Sequence, residues 1–200
     1  MDFDRWRHYA RAWLYHFFGN EEAASAEYEE AFRIDANDAQ SARHLAAIAA
    51  GKRRFDVAER WFAEVLRIAP ESADDHFNLG FVRGEMGKSR DAIASFQEAV
   101  RYRPSLDRAW YGMGLAHIKL GEHELAITPL DRAAKLQPMN GHAWHQLGIA
   151  CHLAGKSDRL PPIVKRIAEF DPKIARQLIR DTGRDDLTGL LPELPEWATR

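Results

Sequence analysis

Apolar side chains in this chain recur three and four residues apart, as in Ala92, Phe96 and Ala99, and strand-like alternation is nowhere sustained. That spacing lines one face of an α-helix, so the pattern predicts helices throughout. The helical stretches come in pairs, a glycine between the two and a proline after the second. Stepping by 34 residues from Pro138 reaches Pro104, Pro70 and Pro172, and one step further back Ala36. Self-similarity at such a period marks a stacked helical repeat.

Five repeats follow in register: 5–38, 39–72, 73–106, 107–140 and 141–174. The eighth place of each is small: Ala12, Ala46, Gly80, Gly114 and Gly148. Seven places on stand Gly19, Arg53, Gly87, Gly121 and Gly155, and the twentieth places hold Ala24, Ala58, Ala92, Ala126 and Leu160. Small residues let two helices of a hairpin approach closely. A glycine between them takes the positive φ of a tight helix end, and a proline stops the second helix. Large apolar places such as Phe62, Phe96, Trp110 and Trp144 fill the remaining space.

The pattern resembles the tetratricopeptide repeat family over residues 5–174. It is carried best by His76-Phe77-Asn78-Leu79-Gly80 with Ala92, Phe96, Ala99 and Pro104, and by Trp144 with Leu147-Gly148. The resemblance implies an all-α fold, a right-handed solenoid of five helix-turn-helix units whose first helices line a concave groove. On this reading residues 1–183 form one solenoid. Its cap is an amphipathic helix over 173–183, with Ile174, Leu178 and Ile179 on one side and Lys173, Arg176 and Arg180 on the other. Such caps shield the apolar face of a last repeat. Residues 184–200 remain as a tail, either mobile or docked through Leu187, Leu190, Leu191, Leu194 and Trp197.

Departures from the pattern carry expectations of their own. Arg53 stands where a turn glycine belongs and Gly51 two places earlier, which predicts an early end to that helix. Pro129 falls inside an expected helix, predicting a late start with Thr128 as cap, or else a kink. Pro161-Pro162 predicts a late start for the last second helix and a splayed hairpin.

Projecting the first helices as the family does gives the candidate groove. The first repeat offers Trp6, Tyr9, Trp13, His16 and Phe17, with packing between helices as the alternative for Trp6, Trp13 and Phe17. The second offers Arg43 and His44, the third Asp74, Phe77, Asn78, Phe81 and Glu85. The fourth offers Arg108, Tyr111, Leu115, Ile118 and Lys119, and the fifth His142, His145, Gln146, Ile149 and His152. Of these, Arg43, Phe77, Asn78, Phe81, Arg108, Tyr111, Lys119, His145 and Gln146 are the candidate ligand-binding residues. Aromatic and arginine side chains dominate binding hot spots, so a protein or peptide partner is the natural ligand. Co-chaperones of the family clamp chaperone carboxylates. The matching places here are Arg43, Ala47, Asn78, Arg108 and Gly112, which leaves a weakened anion grip of Arg43, Asn78 and Arg108 for a carboxylate-bearing peptide.

Composition narrows the remaining classes. A net charge of −2 with 29% charged residues disfavours nucleic acid as a partner. The acidic start Met1-Asp2-Phe3-Asp4 and the longest apolar run, Leu45–Ala50, predict no export signal and no transmembrane segment, hence a cytoplasmic protein. A single cysteine, Cys151, sits at a core place and agrees with a reducing compartment. His142, His145 and His152 share a helical face, but no cysteine or carboxylate completes a metal set, and polar lining is the plainer reading. His123-Glu124 lacks the second histidine of a zinc motif, and no phosphate loop or nucleophile elbow is present. The reading is a non-enzymatic adaptor without cofactor. Its alternatives are a self-assembling scaffold and an accessory subunit of an enzyme or secretion complex.

Overall fold

The computed structural model describes residues 3–192, and the chain divides into two compact bodies, residues 1–104 and 105–200. The N-terminal body holds α1 (Phe3–Phe17), α2 (Glu21–Ile34), α3 (Ala39–Gly51), α4 (Phe55–Ile68), α5 (Ala73–Glu85) and α6 (Ser89–Tyr102). The C-terminal body holds α7 (Asp107–Lys119), α8 (His123–Leu136), α9 (Gly141–Leu153), α10 (Leu160–Ala168) and α11 (Pro172–Thr182). Two 3-10 turns, Ser157–Arg159 and Asp185–Leu190, complete it. No strand occurs among the described residues.

The helices start and stop for local reasons. Asn20, Asp38, Ser72, Asn140 and Asp171 each accept a backbone N–H of the first turn that follows, as N-caps do. Gly19, Gly87, Gly121 and Gly155 end the first helices with φ between 73° and 76°. Arg53, expected to follow an early helix end, instead takes that conformation itself at φ 56°. Its helix runs the same 13 residues as α5, α7 and α9.

Within each body the two helices of a hairpin pack together, and each second helix packs on the next first helix. A Cβ added at Gly80 would lie 2.7 Å from the Phe96 ring, and one at Gly114 would overlap the Leu130 side chain. These glycines are there because the facing helix leaves no room for more. One core of the N-terminal body gathers Ala46, Ala58, Phe62, Leu79 and Val82, and another gathers Ala12, Ala24, Tyr28, Leu45 and Ile48.

Pro129 does not delay its helix, and Thr128 does not cap it. Helix α8 begins at His123, as its period predicts, and carries Pro129 buried in its interior. The last hairpin does depart from the pattern. A 3-10 turn occupies residues 157–159, and α10 starts only at Leu160 with proline in its first turn. At nine residues it is five shorter than α8 and packs far less of itself on α9.

Helix α11 takes the vacated space. Gly148 faces not its own hairpin partner but Leu178, 2.6 Å from an added Cβ, and Gly141 faces Ile174. Leu178 and Ile179 enter a core with Leu130, Leu147, Leu160, Val164 and Ile167, and Gly183 ends the cap at φ 63°. Beyond it Leu187 is buried in the same core and Leu191 packs against it, while Leu190 is exposed. Leu194 and Trp197 of the expected strip lie outside the described residues.

Candidate functional site

In the N-terminal body the first helices are bridged by side chains. Tyr9 Oη on α1 lies 3.3 Å from His44 Nε2 on α3, and Arg5 Nη1 lies 3.1 Å from buried Asp38 at the start of α3. Arg43 on α3 reaches Asp75 on α5, its Nε donating to both carboxylate oxygens at 3.0 and 2.8 Å. Asp75 is almost wholly buried, so this pair is fixed by the fold. The consequence for the expected anion grip is direct: the Nε of Arg43 already serves a carboxylate of its own chain.

Around Tyr9 and His44 sits an aromatic cluster. The His44 ring stacks on Tyr28 at 4.5 Å with an 8° interplanar angle, while His16 meets both edge-on. Burial, then the neighbouring His16, holds the His44 imidazole below its usual pKa, with Arg43 adding to this and Asp38 opposing it. Burial and the Tyr9 hydroxyl push the Tyr28 phenol up to about 12. Two hollows flank this cluster. One of about 350 Å³ is lined by Trp13, His16, Phe17 and His44, and one of about 270 Å³ by Arg5, Trp6, Tyr9, Asp38 and Gln40. The first-repeat residues expected to face a groove are thus gathered. Packing between helices is not where Trp6, Trp13 and Phe17 go, since they are 52%, 52% and 72% exposed.

On α5, Phe81 is exposed, but Phe77 turns inward, its ring 5.9 Å from Phe96 of its own hairpin, and Asn78 is half-buried. In the C-terminal body Arg108 and Lys119 are exposed at the two ends of α7. Between them Tyr111 packs against the core, and burial raises its phenol pKa. Gln146 on α9 is half-buried. His145 is not open to a ligand: it is buried, and its Nε2 lies 2.9 Å from Asp181 on α11. Of the α9 residues that the repeat pattern assigns to a groove the cap covers His145; His142 is exposed, and Ile149 and His152 are half-buried like Gln146. Cys151 is buried with its thiol pKa raised by desolvation, the surroundings of an inert core cysteine.

One hollow escaped the sequence reading. About 600 Å³ in volume, it lies on the second-helix side of the N-terminal body, lined by Glu29, Arg54, Val57, Arg60, Trp61, Ala63 and Glu64. Trp61 in its lining meets Phe32 of α2 edge-on at 5.2 Å. The signal was a tryptophan beside the expected core position Phe62, flanked by charges of both signs.

No helix among the described residues is long and apolar enough to cross a membrane. Two tetratricopeptide repeat family models match, over residues 77–140 and 7–38. No curated protein sequence matches the chain. Among solved structures, a MamA protein is similar at 19% identity with a TM-score of 0.77, over 98% of this chain and all of the other. YrrB, described as a tetratricopeptide protein with an unusual peptide-binding site, is similar at 18% identity and TM-score 0.76, over 86% of this chain and 90% of that one. PilW, a type IV pilus biogenesis factor, is similar at 22% identity and TM-score 0.68, over 94% and 90%. At these identities the likeness is one of fold. With two stretches of sequence and the course of the backbone pointing the same way, the chain belongs to the tetratricopeptide repeat family.

Proposed function

We propose that this protein is a non-catalytic cytoplasmic adaptor that binds a segment of another protein on the exposed face of its first helices. The observation that supports this most is the cluster on α1 and α3, where aromatic rings and two imidazoles border an open hollow that no side chain fills. Such a surface offers a partner apolar area with few side-chain rotamers to freeze and a small number of polar contacts to set register. Phe81 on α5 extends the aromatic surface. The peptide-binding site of the similar YrrB fold supports the same class of ligand.

Selection of peptides from a displayed library on the full chain tests the reading. The affinity of a selected peptide is then measured against variants. His44→Ala and Phe81→Ala should each weaken it about tenfold or more, the loss of one hot-spot contact. Trp61→Ala, in the second-helix hollow, should leave it unchanged. The reverse pattern would move the binding surface to the second helices and overturn the proposal.

A further inference from the structure

Helix α1 carries two stripes, one packed by its own body and one open; Trp13 and Phe17 of the open stripe also border the hollow with His16 and His44, so a contact on that stripe would compete with a peptide there. Arg5, Tyr9, Ala12 and His16 form the first, turned toward α2 and α3. The second is Phe3, Trp6, Ala10, Trp13 and Phe17, spaced three, four, three and four residues apart. That alternation averages 3.5 residues and is the spacing of a seam between two packed helices. Its aromatic members are exposed by 70%, 52%, 52% and 72%. With Phe18 set edge-on against Phe17, and each aromatic side chain presenting roughly 150–250 Å², the helix leaves on the order of 600 Å² of aromatic surface open. The largest patch on a typical monomer is about 300–600 Å², whereas one partner of a standard interface contributes about 800 Å².

We infer that this stripe is the contact between two copies of the chain, joined as an antiparallel pair of α1 helices. The order of side chains identifies the occupant. Read from either end the stripe runs phenylalanine, tryptophan, alanine, tryptophan, phenylalanine. An antiparallel partner centred on Ala10 therefore sets Phe3 against Phe17 of the second copy and Trp6 within one residue of its Trp13. The two alanines meet at the axis, where their small size admits close approach of the backbones. A patch complementary to itself is what a two-fold interface requires. A foreign helix has no need of that symmetry. An anionic membrane is the poorer occupant, because the helix's basic residues are engaged: Arg11 with Glu27 at 2.8 Å, Arg5 with Asp38 at 3.1 Å and Arg7 with Asp4 at 3.5 Å.

Sedimentation equilibrium of the full chain between about 1 and 100 μM reads the association directly, since interfaces of this size dissociate at micromolar concentration or below. The expected mass is twice that of the chain. Ala10→Glu and Trp13→Glu should each weaken the dimer about 100-fold while leaving the far-ultraviolet circular dichroism unchanged, because neither side chain belongs to the core. A third variant keeps the test alive if these fail to fold. Ala10→Cys should form an intermolecular disulfide on mild oxidation, and Ala26→Cys, on the exposed surface of α2, should not. A chain that stays monomeric over the whole range, a dimer indifferent to Ala10→Glu and Trp13→Glu, or Ala10→Cys that crosslinks no faster than Ala26→Cys would each overturn the proposal. So would a monomer that binds phosphatidylglycerol vesicles and loses that binding with Trp13→Glu, which would assign the stripe to a lipid surface instead.

Discussion

At Arg53 a side chain with a Cβ occupies the left-handed conformation that four glycines occupy at the equivalent turns. For such a residue this costs roughly 1–2 kcal/mol. The guanidinium gains little in return, since it is 77% exposed, 3.8 Å from Glu85 and 5.5 Å above the Phe55 ring, and exposed pairs contribute about 0–1 kcal/mol. Arg53→Gly is therefore expected to stabilise the N-terminal body by about 1 kcal/mol, less the entropy a glycine adds to the unfolded chain. Urea unfolding checks it; a lower midpoint would mean that the Glu85 and Phe55 contacts outweigh the backbone strain. His44 sets a second test at the same scale. Its folded pKa lies below the unfolded value of about 6.5, so the unfolded chain binds the extra proton first. The contribution is fully present above that value and is lost as pH falls through it toward the folded pKa. The groups facing the ring are Tyr9, His16, Tyr28, Asp38 and Arg43. His44→Gln should flatten the fall in thermal midpoint between neutral and mildly acidic pH; an unchanged slope would assign it to other groups.

Helix by helix, what could be read in advance was what depends on neighbours in sequence. The turn glycines, the proline stops and the close approaches at Gly80 and Gly114 follow from a period of 34 because each serves contacts inside one hairpin. What depended on a later element could not be read. His145 looks like a groove residue until α11 lies over it, and Gly148 accommodates Leu178 of α11 rather than a residue of its own repeat. Likewise the spacing in α1 does not say which stripe finds a neighbour, because both keep helical spacing. Phe77 differs from Phe81 by four residues, about one turn, yet one ring meets Phe96 and the other meets solvent. Pro129 shows propensity overridden by packing. Its ring is buried in the helix interior, where proline costs roughly 3 kcal/mol relative to alanine. Truncation to alanine removes about two buried methylenes, worth roughly 0.8 kcal/mol each. Pro129→Ala should thus raise stability by about 1 kcal/mol, read as a higher thermal midpoint. A fall would show that the ring fills its site better than that estimate allows.

For the molecule as a whole, the division into two bodies has a consequence that can be measured on the C-terminal one. Its core runs unbroken from α8 through α9, α10 and α11 to Leu187, and the shortened α10 cannot close it alone. Leu178 fills the cradle at Gly148, Ile174 the one at Gly141, and Asp181 meets the buried imidazole of His145. A fragment of residues 105–200 carries all of these and should fold by itself, with helical circular dichroism and a single cooperative urea transition. A fragment of residues 105–170, ending before α11, keeps Pro161, Pro162 and most of the helical sequence but leaves His145 without its carboxylate and an apolar face in water. It is expected to lose cooperativity and to bind a hydrophobic dye, as loosely packed helical states do. Equal cooperativity in both fragments would reduce α11 to an appendage. Failure of the longer fragment alone would mean that its core is completed from outside residues 105–200, and the cap would then be only one of two supports.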